Sequence, residues 1–391
     1  MKRILIAGGG YADIPLILAA KSLGFYTITS GNRTEDLGHR YADETRLVDF
    51  SDKEAMLGIA RALDIDAICA CCNDFSALSC AYVAEHMGLP GHDPYHTAKI
   101  LHHKDLYRAF AKEHGIPSPK AEGFSSLETA VRGMDGFQFP VIIKPVDLSG
   151  GKGISRIERF DDGRVALEKA FAWSRARRVV IEEFIDGNRH GLSTFVRDGK
   201  VVFFFNDNEH YFLNPYLVSA ASTPSMAPKS IAIRLCDYVE KLASILSLGA
   251  GIVHLQYILR DDEPFIIEIC RRAPGDLYTR FVSHATGVDY PTFIVRAATG
   301  MDCRQLTQTE PGGAYARHCV MARAPGRVRD VSVAPSIETQ IIDSLMWWNQ
   351  GDIIEDHLTQ KLGIVFLKFD STAEMLDKTE QMQELIRVRL E

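Results

Sequence analysis

The sequence predicts an α/β protein that opens with a doubly wound parallel sheet and continues in α+β segments. Three observations carry this expectation. Over the first hundred residues short apolar runs alternate with helical stretches, the pattern of a parallel sheet covered on both faces. A stiff break at Ile116-Pro117-Ser118-Pro119 closes that part. Beyond it, apolar strands come in pairs joined by tight turns.

Taken in order, Arg3–Ala7 reads as a first strand, followed by Gly8–Gly10. Asp13 reads as a helix cap, with Pro15 in the first turn. Tyr26–Thr29 and Ala67–Cys71 read as strands. Ser51-Asp52-Lys53-Glu54 reads as a capping box for a helix to Leu63, and Asp74–Met87 as a helix closed by Gly88. Pro94–Glu113 reads as one long helix. Phe139–Lys144 and Ile154–Phe160 flank a glycine loop, and Val179–Ile185 follows a helix over Asp161–Ala176. Leu192–Val196 and Lys200–Phe205 pair around Asp198-Gly199. Phe205–Ser225 reads as an irregular functional flap. His254–Leu259 and Phe265–Ile269 form a second hairpin, and a final helix is expected over Thr372–Leu390.

Bulk properties narrow the function. Hydrophobic content is 46% and charged content 24%, the values of an ordinary globular protein. A net charge of -7 argues against nucleic-acid binding, which needs a basic face. No apolar run approaches the roughly 18 residues of a membrane span, and Gly8–Gly10 with Asp13 interrupt any signal-peptide core. The eight cysteines form no paired CxxC units. They are expected as buried thiols in a reducing cytoplasm rather than as a zinc site. Gly8–Gly10 invites a dinucleotide reading, but Asp13 stands where a third glycine belongs and would repel a pyrophosphate.

Three constellations carry chemistry. The first is Lys144-Pro145-x-x-x-Ser149-Gly150-Gly151-Lys152-Gly153-Ile154. A lysine ending an apolar strand needs a reason, and the glycine loop can turn several N–H groups toward phosphate oxygens. It is not a Walker A loop, because Gly follows Lys152; the alternative is a plain glycine-rich hairpin. The second is the His254–Cys270 hairpin. A turn centred on Asp262 sets Gln256 opposite Glu268, with Cβ atoms about 5 Å apart, close enough to share a Mg²⁺. Alternation then puts Leu255, Tyr257, Leu259, Phe265, Ile267 and Ile269 on one core face. His254, Gln256, Glu268 and Cys270 share the other face, which is alternatively a wetted sheet surface. The third, Val179–Gly187, is a strand ending in two acids and an aromatic residue.

In this order and spacing the constellations resemble the ATP-grasp superfamily over roughly residues 1–300. The chain looks like the carboxylate–amine (amino-acid) ligases and the ATP-binding module of carbamoyl-phosphate synthase, and it also resembles biotin carboxylase and the purine-pathway enzymes. The resemblance implies four parts. These are an N-terminal pre-ATP-grasp domain (1–98), a linker helix and small lid lobe (99–187), a large lobe with the metal site (188–300) and a C-terminal subdomain (301–391). It implies ATP contacts from Lys104, Lys144, Ser149, Gly150, Gly151, Gly153 and Ile154. In the adenine slot Glu182 takes the amino group, flanked by Glu183, Phe184 and Ile185, and His190 stands where a ribose-binding acid is usual. Gln256 and Glu268 are the implied ligands of Mg²⁺, with Mn²⁺ as an alternative, while Cys270 replaces the family's asparagine and removes one hard oxygen.

The implied reaction is activation of a carboxylate as an acyl phosphate for attack by an amine, with ADP and phosphate released. It depends on charge neutralisation and alignment. Lys144 and Arg272 are the catalytic candidates. His210, Arg280 and Arg317 are candidates for substrate binding, and His210, Tyr211 and Asn214 for a closing flap. The expected partners are small carboxylates and amines, in a cytoplasmic enzyme whose relatives are often homodimers. Two alternatives remain: carboxylation through carboxyphosphate, and a non-catalytic nucleotide-binding regulator.

Overall fold

The computed structural model describes residues 1–148 and 150–391. Strands β1 (Arg3–Ala7), β2 (Tyr26–Ser30), β3 (Glu44–Arg46) and β4 (Ala67–Ala70) form a parallel sheet in the order β3-β2-β1-β4. Helices α1 (Ile14–Ser22), α2 (Lys53–Leu63) and α3 (Asp74–Met87) complete the opening part. The Asp52 carboxylate, not Ser51, caps α2, accepting from the N–H groups of Glu54 and Ala55. Asp13 does not cap α1. Its carboxylate accepts from the N–H groups of Gly10 (2.9 Å) and Cys72 (3.0 Å), joining the loops after β1 and β4.

The expected long helix is two, α4 (Tyr95–His102) and α5 (Lys104–Glu113). The break comes from outside the helix: His103 is extended and the Lys104 N–H donates to the Val146 carbonyl (3.0 Å). Lys104 is thereby fixed against the next lobe. That lobe is an antiparallel sheet of β5 (Ala121–Phe124), β6 (Val141–Pro145), β7 (Ser155–Ile157) and β8 (Val179–Glu183), ordered β5-β8-β6-β7. Helices α6 (Leu127–Gly133) and α7 (Gly163–Trp173) share its core through Ala130, Leu167 and Ala170.

The large sheet begins with β9 (Asn188–Arg197), β10 (Lys200–His210), β11 (Ala220–Thr223), β12 (Gly251–Arg260) and β13 (Glu263–Cys270). Leu192, Val196, Val253, Leu255 and Tyr257 face α8 (Lys229–Leu246). Phe195, Phe203 and Phe205 pack on the other side, against α9 (Tyr278–Thr286) and α10 (Tyr290–Ala298), in a core that also holds Ile4, Ile6 and Ile17. β10 continues to His210, so the expected irregular flap shrinks to the residues between β10 and β11.

After residue 300 come β14 (Ala314–Val320), β15 (Gly326–Val333), α11 (Pro335–Glu338), β16 (Ile341–Met346), β17 (Ile353–Ile354), β18 (Gly363–Phe369), α12 (Thr372–Glu380), α13 (Met382–Leu385) and β19 (Ile386–Leu390). Three of these strands extend the large sheet, giving β13-β12-β9-β10-β11-β14-β18-β16, while β17-β15-β19 form a small sheet. The expected final helix stops early because Ile386-Arg-Val-Arg-Leu390 alternates with the period of a strand and pairs with β15.

The β12–β13 hairpin corrects one sequence expectation and keeps another. The turn lies at Asp261-Asp262, both left-handed (φ 51° and 62°), and pairs Arg260 with Glu263. That register alone would set Gln256 against Ile267. A bulge at Ile267 restores Gln256 opposite Glu268, while Tyr257 faces Ile266. Ile266 is therefore the core residue, and Phe265 and Ile267 are not. Among the described residues no helix is long and apolar enough to cross a membrane.

Candidate functional site

A cleft of about 460 Å³ opens where the three sheets meet. The parallel sheet contributes the loops after β1 and β4, at the carboxyl ends of its strands, where such sheets offer ligand sites. The lid contributes Ile142, Lys144, Gly150, Gly151, Ile154 and the end of β8. The large sheet contributes Asp207 and Glu209 of β10, His254 and Gln256 of β12, and Glu268 and Cys270 of β13. Arg317 enters from β14, and Lys361 from just before β18.

Cations and acids alternate along this cleft. Lys144 Nζ donates to Glu182 Oε2 at 2.7 Å, and Arg108 Nε lies 3.0 Å from Glu182 Oε1. All three side chains are buried. Burial alone would raise the Glu182 carboxyl, but Arg108 and Lys144 outweigh it and hold it at about 2. Burial lowers the Lys144 ammonium, and the neighbouring cations Arg108 and Lys104 add to that, with Glu182 opposing. Both partners shift downward. The firmer conclusion is the ionised Glu182, which faces two cations while Lys144 faces one anion. Lys104 Nζ donates to the Leu148 carbonyl (2.6 Å) and Glu268 Oε1 (3.3 Å). The Glu182 carboxylate, expected from the resemblance beside an adenine amino group, is thus paired with a cation at each oxygen.

Deeper in, Arg272 Nε donates to Asp74 Oδ1 (2.8 Å), which also meets His102 Nδ1 (2.9 Å). Burial and then Arg272 lower the His254 imidazole to about 3, so it is neutral. Burial pushes the Cys270 thiol up to about 12, and its Sγ donates to the Arg272 carbonyl. Gln256 Nε2 donates to Glu209 Oε1 (2.7 Å), leaving the amide oxygen for another partner. Among the described residues no group of three His, Cys, Asp or Glu side chains is placed to hold a metal. Two oxygen donors, Glu268 and Gln256, fit a Mg²⁺ that arrives on phosphates and keeps waters, the usual mode for this ion.

Of the residues singled out by sequence, Lys104, Lys144, Gly150, Gly151, Ile154, Glu182, Glu183, Phe184, Ile185, Gln256, Glu268, Arg272 and Arg317 line the cleft. Ser149 lies outside the described residues. Gly153 does not line it: a Cβ there would sit 2.7 Å from Pro145 Cγ, so this glycine packs inside the lid. His190 and His210 do not line it either. His190 stacks on Tyr257 (5.1 Å), on the α8 side of the sheet, and His210 bonds Ser222 Oγ (3.0 Å). Strand alternation sends their neighbours Arg189, Asp207, Glu209 and Tyr211 into the cleft instead. Arg280 pairs with Asp343 (2.7 Å) outside the cleft. Sequence reading missed Arg108, Asp207, Glu209, Asp276 and Lys361. For Asp207 and Glu209 the signal was present, as both continue the Phe203–Phe205 face of β10.

Comparison with known proteins agrees with this geometry. Residues 102–213 match the model of the phosphoribosylglycinamide synthetase ATP-grasp (A) domain. The chain is 27% identical over 286 residues to a formate-dependent phosphoribosylglycinamide formyltransferase of Rhodococcus jostii, covering 69% of this chain and 68% of that protein. Its fold superposes on an L-amino acid ligase from Bacillus licheniformis with a TM-score of 0.85 at 17% identity, over 100% of this chain and 99% of that one. It also superposes on the biotin carboxylase domain dimer of Hydrogenobacter thermophilus 2-oxoglutarate carboxylase, in complex with MgADP and bicarbonate. There the TM-score is 0.79 at 18% identity, over 99% of this chain and 90% of that one. Residues 102–213 thus carry an ATP-grasp domain, and the chain is similar to ATP- and Mg²⁺-dependent ATP-grasp enzymes, carboxylate-activating ligases among them.

Proposed function

We propose that the chain joins an amino acid or small acid to an amine, activating the carboxylate as an acyl phosphate and releasing ADP and phosphate. The observation that carries this reading is the convergence of Lys104, Lys144, Gln256, Glu268 and Arg272 on one cleft. Lys104, Lys144 and the backbone of Gly150, Gly151 and Ile154 hold the phosphates, and Ile142, Phe184, Ile185 and Ile258 make the apolar adenine slot. Gln256 and Glu268 hold Mg²⁺, which when bound neutralises phosphate charge. Arg272, held by Asp74, faces the transferred group as a preorganised donor. The Tyr211–Val218 loop closes over the site, with Arg189 donating to the Pro215 carbonyl.

The four-part division made from the sequence accompanies this reading, as do small-molecule partners, a homodimer and a cytoplasmic setting. A second reading, carboxylation through carboxyphosphate, draws support from the likeness to the bicarbonate-bound domain. One experiment separates them. The protein is incubated with Mg·ATP, pooled amino acids and hydroxylamine, and ADP and hydroxamate are measured. Both products are expected. No ADP with any pool would refute the ligase, and bicarbonate-stimulated ADP release without amine dependence would favour the carboxylase.

A further inference from the structure

Resting on the ligase reading, we propose that the inner end of the cleft, between the Gly8–Asp13 loop, the Pro274–Leu277 turn and β14, binds a free amino acid as a zwitterion. Arg317 takes its carboxylate and Asp207 its ammonium, and phosphorylated amines are excluded.

The first support is two unpartnered atoms of opposite character. Arg317 is 2% exposed and Asp207 is fully buried, yet both line the cleft. Arg317 Nε and Asp207 Oδ2 have no hydrogen-bond partner among the described residues. Unmet buried groups of this kind are costly unless a ligand satisfies them. Register places them close together: Arg317 lies opposite Ala221, which lies opposite Glu209, two residues along β10 from Asp207. Two strand spacings separate the backbones of β10 and β14 by about 10 Å, and the small Ala221 between them leaves the space open. Gly191, opposite Asp207, makes room as well, since a Cβ there would lie 2.7 Å from Asp207 Oδ1.

The second support is the arrangement that orients Arg317. Asp276 and Leu277 both adopt left-handed backbone (φ 57° and 55°), a strained pair that persists only where its surroundings enforce it. This turn aims the Asp276 carbonyl at Arg317 Nη1 (2.8 Å), while the Asp276 carboxylate is engaged by Lys361 and by Tyr11 Oη (2.7 Å). Two cations against one carboxylate leave a single positive charge, which suits one carboxylate.

The third support tells against phosphate. Phosphate sites on such folds use free backbone N–H groups at a glycine loop. Here the N–H groups of Gly8, Gly10, Cys71 and Cys72 are already donated to Ile6, Asp13, Ser76 and Asp13 respectively, which leaves only those of Gly9, Tyr11 and Ala12 in the loop without an acceptor among the described residues. Asp13 of this loop and Asp36, from the segment after β2, also bring acids to the cleft.

The test measures ADP release from Mg·ATP with the twenty amino acids in pairs, and then with one member of an active pair replaced by its methyl ester or by phosphoethanolamine, so that a free carboxylate is always present. Hydroxylamine with the same amino acids is a parallel arm. At least one pair of free amino acids should support turnover, its ester-substituted form at least tenfold less, and its phosphoethanolamine-substituted form not at all. Arg317→Gln should raise KM for the replaced amino acid at least tenfold and Arg317→Lys less, with KM for ATP within twofold of the parent. Burial, with the Glu209 carboxylate beside it, raises the Asp207 carboxyl, so calorimetry in buffers of different ionisation enthalpy should show a proton released on amino-acid binding, and Asp207→Asn should lose it. Both variants should keep the Mg·ATP-induced thermal shift, which verifies folding. Equal activity of acid and ester, or an unchanged amino-acid KM in Arg317→Gln, overturns the subsite while hydroxamate formation still upholds the ligase. No ADP in any arm removes both.

Discussion

Replacing Glu182 by Gln tests the electrostatic centre of the lid. The substitution keeps the shape and removes the one anion between Lys144 and Arg108. Removing one partner of a buried ion pair costs about 3–5 kcal/mol. Linkage gives a second estimate. The Glu182 carboxyl falls from 4.5 to about 2 on folding, and each pKa unit is worth about 1.4 kcal/mol, so the charged form contributes about 3 kcal/mol. Because the folded pKa is depressed, this contribution is complete above the unfolded value and is lost as pH falls through about 2. At pH 3.5 roughly 2 kcal/mol should remain. Urea unfolding, with hydrogen exchange read on β6 and β8, should show Glu182→Gln less stable by about 3 kcal/mol at pH 7. The gap should narrow by about 1 kcal/mol at pH 3.5. A gap below about 1 kcal/mol at neutral pH, or one that does not change with pH, would refute the buried triad.

Other changes read other parts of the cleft. Lys144→Ala and Glu268→Ala should each abolish ADP formation while circular dichroism stays that of the parent; near-normal turnover in either would misplace the phosphate and metal grip. Cys270→Asn should preserve or raise Mg²⁺ affinity, measured as the Mg²⁺ dependence of nucleotide binding, because it replaces a protonated thiol by an oxygen donor. Gly151→Ala should raise KM for ATP at least fivefold: its φ is +75° and a new Cβ would lie 2.9 Å from Tyr216 Cβ, so the loop must shift. His190→Ala should leave KM for ATP within about twofold and lower stability by about 1–3 kcal/mol instead, since the ring packs on Tyr257 on the α8 side.

What was legible in the sequence was mostly local and periodic. Asp74–Met87 has its expected bounds because Asn73 caps one end and Gly88, at φ 65°, closes the other. The Gln256–Glu268 apposition was legible too, but by compensation. The turn lies half a residue from the expected centre, and the bulge at Ile267 offsets the error. Bulges leave no mark in alternation, so Ile266 and Ile267 exchanged faces. The helix break at His103 was hidden for a related reason: its cause, the Val146 carbonyl that accepts from the Lys104 N–H, lies 42 residues beyond Lys104. β10 was cut short at Phe205 because Asn and Asp are poor strand formers, although packing against β9 and β11 overrides propensity. That truncation hid Asp207 and Glu209 and left His210 as the apparent candidate.

The C-terminal ninety residues were the least legible, and their topology explains why they matter. β14 joins the large sheet beside β11, and β18 lies beyond it. This order sets Arg317 on the cleft face and brings Lys361, two residues before β18, onto Asp276. Sequence singled out Arg317 but not Lys361, and the placement of each depends on a strand pairing between segments tens of residues apart. The phosphate end of the cleft, by contrast, is built from Lys104, Lys144 and the short β12–β13 hairpin, where spacing alone constrains the geometry. A site divided in this way separates two demands. On the proposed function the nucleotide end is tied to a compact motif, and the acceptor end is assembled by strands added at the edge of the same sheet. Changes in β14 and the segment before β18 can therefore alter what is joined while the grip on ATP stays in place.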